Sequence, residues 1–138
     1  MAGAELVEAI RGIVASGRGG DLEAAYRGYR ELFAAPAFRA HEAKDQRQAL
    51  KLMVHAKGAP ASPTAAMVEA HRAALPPLAD LVAKHGEPAD YEMLGMCHLA
   101  AGDEAAAAEA FRAGLAIERD RNAQSDLCGI LMKRVSML

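Results

Sequence analysis

Ten residues occur twice in altered form, and that recurrence constrains the fold more than any other feature of the chain. GDLEAAYRGY (Gly20 to Tyr29) and GDEAAAAEAF (Gly102 to Phe111) share Gly, Asp, an Ala and a terminal aromatic, 82 positions apart. A Gly closes one helix because it accepts a positive φ without a Cβ clash, and an Asp directly after it caps the next. A chain that stops and restarts a helix within so few residues folds back on itself, so each copy marks an antiparallel helix pair. The offset corresponds to two units of about 41 residues, with the middle unit the poorest match.

Composition agrees with a helical fold. Ala supplies about a quarter of the 138 residues, and Ala is the strongest helix former because it loses no rotamer freedom. Val, Ile and Thr are sparse, so no segment reads as a β-strand. At this length one all-α domain spanning residues 1–138, with a sizeable core, is expected. The formal charge of -2 lacks the basic excess of a nucleic-acid binder. Residues 1–59 carry 9 Lys and Arg against 7 Asp and Glu, and residues 60–138 carry 7 against 11, a mild asymmetry of a mixed surface. No window approaches the roughly 18 apolar residues of a membrane span. The opening MAGAELVEAIRG has neither the basic n-region nor the apolar h-region of a secretory signal. The expectation is a cytoplasmic protein with Cys97 and Cys128 as reduced thiols, and with neither nucleic acid nor membrane as partner.

Helix punctuation is legible along the chain. AELVEAIRGIVASG places Leu6, Ile10, Ile13 and Val14 on one face before GRGG ends it. Asp21 caps a second helix that buries Leu22, Ala25, Tyr29, Leu32 and Phe33 and ends at Pro36. A third is expected from about Arg39 to Lys57, with Leu50, Met53 and Val54 inward. After the GAPASP loop, Ser62-Pro63 reads as a cap followed by a proline at the first helical position. Pro76-Pro77 then interrupt an apolar stripe, and an interior proline costs about 3 kcal/mol or more. The helix either kinks there or ends near Ala74 and restarts at Pro77, and two segments are the preferred reading. Pro88 opens the next helix, Asp103 caps the one after, and a last helix carries Leu127, Ile130, Leu131 and Val135 on one face.

YEMLGMCHLAAGDEAAAAEAFRAGL resembles a tetratricopeptide repeat. Tyr91, Leu94-Gly95, Gly102, Ala107 and Phe111 stand at that family's aromatic, Leu-Gly, turn, close-contact and second aromatic positions. Small residues belong where antiparallel helices cross closely, and large aromatics where a neighbouring unit leaves a gap. One period later, Cys128-Gly129 falls on the Leu-Gly pair, so the final helix resembles the first helix of a further unit acting as a cap. His98, Gly114 and Arg119 depart from the pattern, and Gly12-Ile13 replaces Leu-Gly in the first copy. The resemblance implies a right-handed superhelix of antiparallel helix pairs, with units at about 4–35, 39–86 and 88–118 and a capping helix at about 122–137.

No reactive constellation emerges beside it. His41 and His55 lie 14 residues apart, as do His71 and His85. On one helix that is about 21 Å of rise, too far to share an ion. Cys97 and His98 point to different faces, and no CxxC or HExxH occurs. No Ser sits in a Gly-x-Ser-x-Gly setting, and Glu104, Glu109 and Glu118 read as a solvated face. GRGG lacks the Lys-Ser/Thr of a phosphate loop. Neither an enzyme nor a metal or cofactor site is expected.

The resemblance instead implies a concave groove lined by the first helix of each unit, one that binds another protein or a peptide. Its carried-over positions are Ile10, Arg11, Val14 and Arg18 in the first unit, Lys51, Leu52 and His55 in the middle one, and Glu92, Met93 and Met96 in the last. The Lys and Asn with which some members grip a C-terminal carboxylate are replaced here by Glu92, Met93 and Met96. Met93 and Met96 read equally well as adaptable contacts or as core filler. The expected function is a non-enzymatic adaptor or chaperone-like module that takes an amphipathic helix or extended peptide. The alternative is self-assembly as a homodimer through DLCGILMKRVSML, where Met132, Met137 and Leu138 fall outside the buried stripe.

Overall fold

The computed structural model describes every residue except Met1, Gly58 and Ala61, so the predicted GAPASP loop lies partly outside the described residues. The described residues are all-α, with no strand. They form α1 (Ala2–Arg18), α2 (Leu22–Ala34), a 3-10 segment (Pro36–Ala40), α3 (Ala43–Val54), α4 (Ala65–His85), α5 (Pro88–Ala100), α6 (Glu104–Asn122) and α7 (Asp126–Ser136). They divide into two compact units, Met1–Pro77 and Leu78–Leu138, with the division inside α4.

The recurring decapeptide builds the same turn twice. Gly20 and Gly102 both take the left-handed conformation, with φ of 89° and 87°. Asp21 N–H reaches back to the Ser16 carbonyl at 3.0 Å, and Asp103 N–H to the His98 carbonyl at 2.9 Å, so each helix end closes with the same five-residue reach. The two Asp carboxylates then accept from the amides of Ala24 at 2.9 Å and Ala106 at 3.0 Å, capping α2 and α6 alike. The helices on either side of each turn pack together, α1 on α2 and α5 on α6.

What differs is where the small residue sits. In the second unit Gly95 on α5 lies under the Phe111 ring of α6, so closely that a Cβ there would overlap it. In the first unit the small residue is Gly28 on α2, where an added Cβ would come within 2.7 Å of Ile13 Cγ1 on α1. Gly12, directly before Ile13, has open space beside it. Large and small residues are thus exchanged across the helix pair: Ile13 is accommodated because Gly28 opposite it is small.

In the first unit, Tyr29 stacks on Phe33 with ring centroids 5.7 Å apart, and Phe33 meets Phe38 edge-on at 5.0 Å. Phe38 is buried to 1% exposure from the 3-10 segment, so α3 begins at Ala43 rather than near Arg39. Gln46 ties that segment to α3, donating from Nε2 to the carbonyls of His41 at 2.8 Å and Arg39 at 3.2 Å. The cap of α4 is Thr64 and not Ser62, since Thr64 Oγ1 accepts from the Met67 amide at 3.2 Å. Leu50, Met53 and Val54 are buried as the periodicity of α3 requires, whereas Leu22 stays exposed.

α4 passes through Pro76 and Pro77 as a single helix, contrary to the preferred two-segment reading. Each proline removes one donor, leaving the carbonyls of Arg72 and Ala73 without helical partners. Arg72 is exposed, and Ala73 and Pro76 border an open cleft with Phe33, Pro36 and Arg39. Ala70 and Ala74 are fully buried and Pro77 nearly so. Burial of this face outweighs the missing bonds.

In the second unit α6 packs on both α5 and α7, and α7 also touches α5. Ala107, Phe111, Leu115, Cys128 and Leu131 form the shared core, with Met96, Leu127 and Val135 packed against it. Ser125 fixes the α6–α7 joint by accepting from the Cys128 amide at 3.0 Å and donating to Glu118 at 2.7 Å.

Candidate functional site

The first unit holds a groove of ≈ 750 Å³ between α1, α2 and the C-terminal half of α3. Its floor is the stripe Leu22, Ala25, Tyr26 and Tyr29 of α2, spaced as one face of a helix. Ile13, Val14 and Arg18 of α1 form one wall, and Lys51, Leu52 and His55 form the other. A smaller hollow of ≈ 220 Å³ continues it toward the start of α1, lined by Leu6, Val7, Ile10, Arg11, Asp45 and Leu52 among others. Gln48 and Leu52 border both, so the two hollows form one run along α1 from Gly3 to Arg18.

The groove positions expected from the sequence thus part company. Ile10, Arg11, Val14, Arg18, Lys51, Leu52 and His55 all line this run. Glu92 and Met93 do not lie on a surface: they are 3% and 4% exposed. Met96 is half-buried against the core of the second unit. The reason is α7. Its Arg134 places Nε 3.3 Å from Glu92 Oε2, and Leu127 and Val135 join Met96 at the same core. Shifted by the repeat offset of 82, Glu92 and Arg134 correspond to Ile10 and Leu52, which border the open hollow of the first unit. One pair of positions is bridged by an ion pair in one unit and lines a groove in the other.

The groove is apolar below and basic at its rim. Among the described residues lining the larger hollow there is no carboxylate, while Arg18, Lys51, His55 and Lys57 all border it. Arg18 lies in the last turn of α1 and Lys51 in that of α3, where cations also balance the helix dipole. Leu22 and Leu52 are 39% and 42% exposed, so apolar surface is open to solvent within the charged rim. Leu22, Tyr26, Gln48 and Lys57 are groove residues that the repeat positions do not include. The signal for two of them was present: Leu22, Ala25, Tyr26 and Tyr29 make a stripe wider than one contact with α1 needs.

Burial sets the chemistry of the titratable groups nearby. It pushes the phenols of Tyr26 and Tyr29 above their usual range, with Glu23 adding to the effect at Tyr26 and Tyr26 at Tyr29. His71, behind Tyr26 with ring centroids 6.3 Å apart, is held below its ordinary value because burial disfavours the imidazolium. Its Nδ1 lies 2.7 Å from the Met67 carbonyl, which fixes the neutral ring as an Nδ1–H donor. In the second unit, burial and then the Glu92 charge push the Cys97 thiol up to about 12, so this sulfur keeps its proton. Both cysteines are buried and unpaired. Among the described residues no three His, Cys, Asp or Glu side chains are grouped to hold a metal ion, and no helix is long and apolar enough to cross a membrane.

No protein-family model, no curated protein and no solved structure matches the chain.

Proposed function

We propose that this chain is a non-enzymatic binding module whose groove between α1, α2 and α3 takes a segment of another protein. The observation that carries the reading is the groove itself: solvent-exposed Leu22 and Leu52 inside a basic rim, with Leu52 at the position that the repeat equates with the ion-paired Arg134 of the second unit. Exposed apolar surface framed by polar groups is the usual mark of a docking site. Membership of the tetratricopeptide-like helical repeats, with a superhelical arrangement and a cytoplasmic location, belongs to the same proposal. It is supported by the twice-built Gly-Asp turn and by the two unpaired thiols.

Selection of random peptides on the immobilised protein, followed by amide chemical-shift mapping, tests the reading. Selected peptides should perturb Val14, Tyr26 and Leu52 and should lose their binding in Leu52→Asp. Peptides that perturb a different surface, or that bind Leu52→Asp equally well, would refute it.

A second reading, self-association through α7, is favoured by the exposure of Ile130, Met132, Met137 and Leu138 at 44%, 50%, 68% and 44%. Light scattering decides it: a dimer that Met137→Asp dissociates supports this reading, and a monomer at high concentration rules it out.

A further inference from the structure

The groove's geometry and charge say more about its occupant than that it is a peptide. Resting on the binding-module reading, we infer that the groove recognises an acidic amphipathic α-helix of about 15 residues.

Three observations converge on that occupant. The first is the character of the walls. Apart from the short stretch His55 to Lys57 at one end, the groove is bounded by helices, whose interior backbone N–H and C=O groups are satisfied internally, so it offers no strand edge to an extended chain. A peptide entering an apolar floor here must satisfy its own backbone, and a helix does so. The second is length. The joined hollows run beside α1 from Gly3 to Arg18, and fifteen residues of helix rise about 22 Å, so an occupant of about four turns matches the floor.

The third is charge. Arg18, Lys51 and Lys57 border the larger hollow, and among the described residues none of them takes part in an ion pair. Arg11, by contrast, is already bound to Glu8 at 3.1 Å and Asp45 sits beside the smaller hollow, so the uncompensated charge collects at the Arg18 end. An occupant with Leu-like residues at helical spacing and carboxylates flanking that stripe satisfies both the floor and the rim. In the second unit the same repeat positions are closed by Glu92 and Arg134 within the chain. In the first unit those positions are the uncharged Ile10 and Leu52, so no ion pair within the chain closes the groove there.

Three synthetic helical peptides of about 15 residues separate the possibilities. They carry one identical leucine stripe at i, i+3, i+4 and i+7, and Glu, Gln or Lys at the flanking positions. Binding is read by fluorescence anisotropy at low and high salt, against the wild type, Lys51→Gln/Lys57→Gln and Leu52→Asp. These three positions are exposed, so the fold should survive the substitutions. Each exposed ion pair contributes a factor of about 1.5–5, so the Glu peptide should bind about tenfold more tightly than the Gln peptide. That advantage should vanish in high salt and in Lys51→Gln/Lys57→Gln.

If the Gln peptide binds as tightly as the Glu peptide, the acidic specificity is wrong while the groove reading stands. If no peptide binds, or if binding survives Leu52→Asp, the groove reading itself falls. Equal competition by a single-stranded oligonucleotide or by anionic vesicles would make the rim a general anion surface and overturn the inference. A dimer that Leu52→Asp abolishes would do the same, by naming a second copy as the occupant.

Discussion

Replacing Gly95 by Ala should destabilise the protein, although helix propensity alone says the opposite. Gly95 lies inside α5, and Ala is favoured over Gly in a helix interior by about 1 kcal/mol. The new Cβ, however, would come within 2.6 Å of Phe111 Cδ1 and 2.8 Å of Cζ, where carbon atoms prefer about 3.5–4.0 Å. The ring must therefore move by about 1 Å. Phe111 is fully buried among Ala107, Leu115, Cys128 and Leu131, so it has nowhere open to go. Overpacking of this kind costs about 1–3 kcal/mol, and an unyielding ring places it at the upper end. Subtracting the propensity gain leaves a net loss of ~2 kcal/mol, or a fall of ~8 °C in Tm for a chain of this size. Gly12→Ala is the matched control. It makes the same change inside α1, at a residue with nothing within 4 Å of the new Cβ, and should raise stability by about 0.5–1 kcal/mol. Denaturant midpoints measure both, and Gly95→Ala/Phe111→Leu completes the cycle. The double variant should cost less than the sum of the singles by ~1 kcal/mol or more, because the smaller side chain leaves room for the methyl. Stabilisation by both alanines, or strict additivity in the cycle, would refute close packing of Gly95 on Phe111.

Three further outcomes follow from the buried polar groups. Because burial holds His71 below its ordinary value of 6.5, the unfolded chain takes up a proton that the folded chain resists. Stability should be full above about pH 6.5 and fall as the pH drops below it, and this slope should be shallower in His71→Phe; equal slopes in urea melts across pH 5–7.5 would refute the assignment. Cys97 and Cys128 are 0% and 1% exposed, and the Cys97 thiol is pushed up to about 12, so labelling by an aromatic disulfide should require opening of the second unit and quicken in sub-denaturing urea. Immediate labelling of the native protein would contradict this. Glu92→Ala should cost ~3 kcal/mol, because it leaves the partly buried Arg134 without this carboxylate; a loss below ~1 kcal/mol would mean that the pair behaves like a surface contact.

The parts of the fold that were legible in the sequence are those fixed by local chemistry. Gly20-Asp21 and Gly102-Asp103 specify both the stop and the cap, and each turn forms from residues adjacent in the chain. The inward face of α3 follows from spacing, as the burial of Leu50 and Met53 shows. That of α7 follows at Leu127, Leu131 and Val135 but not at Ile130, which is 44% exposed because it lies off the side of the helix that meets the core. Where a local preference competes with burial, the sequence misleads. The proline pair favours a break by its missing donors, yet Ala70, Ala74 and Pro77 are buried on a continuous helix. Phe38 was illegible for a different reason: a five-residue 3-10 segment has no periodicity to read, and only its packing on Phe33 reveals its role.

The candidate site divides along the same line. Periodicity states which residues share a face, and Ile10, Arg11 and Val14 share one as surely as Glu92, Met93 and Met96 do. It cannot state how far away the facing helix stands. That distance depends on the connection and on the pairs across the gap. The α6–α7 joint is short and held by Ser125 to Glu118, and Arg134 then reaches Glu92. Between α2 and α3 the chain first spends Pro36–Ala40 burying Phe38, and Gln46 anchors the start of α3 to that segment. At the positions of the ion pair the first unit has Ile10 and Leu52, which carry no charge to draw their helices together. A chain selected only for a closed helical core would be expected to bury such a pair. Leaving Leu52 exposed beside Lys51 gives up apolar burial that a partner helix can restore, and that is the physical content of reading this face as a groove.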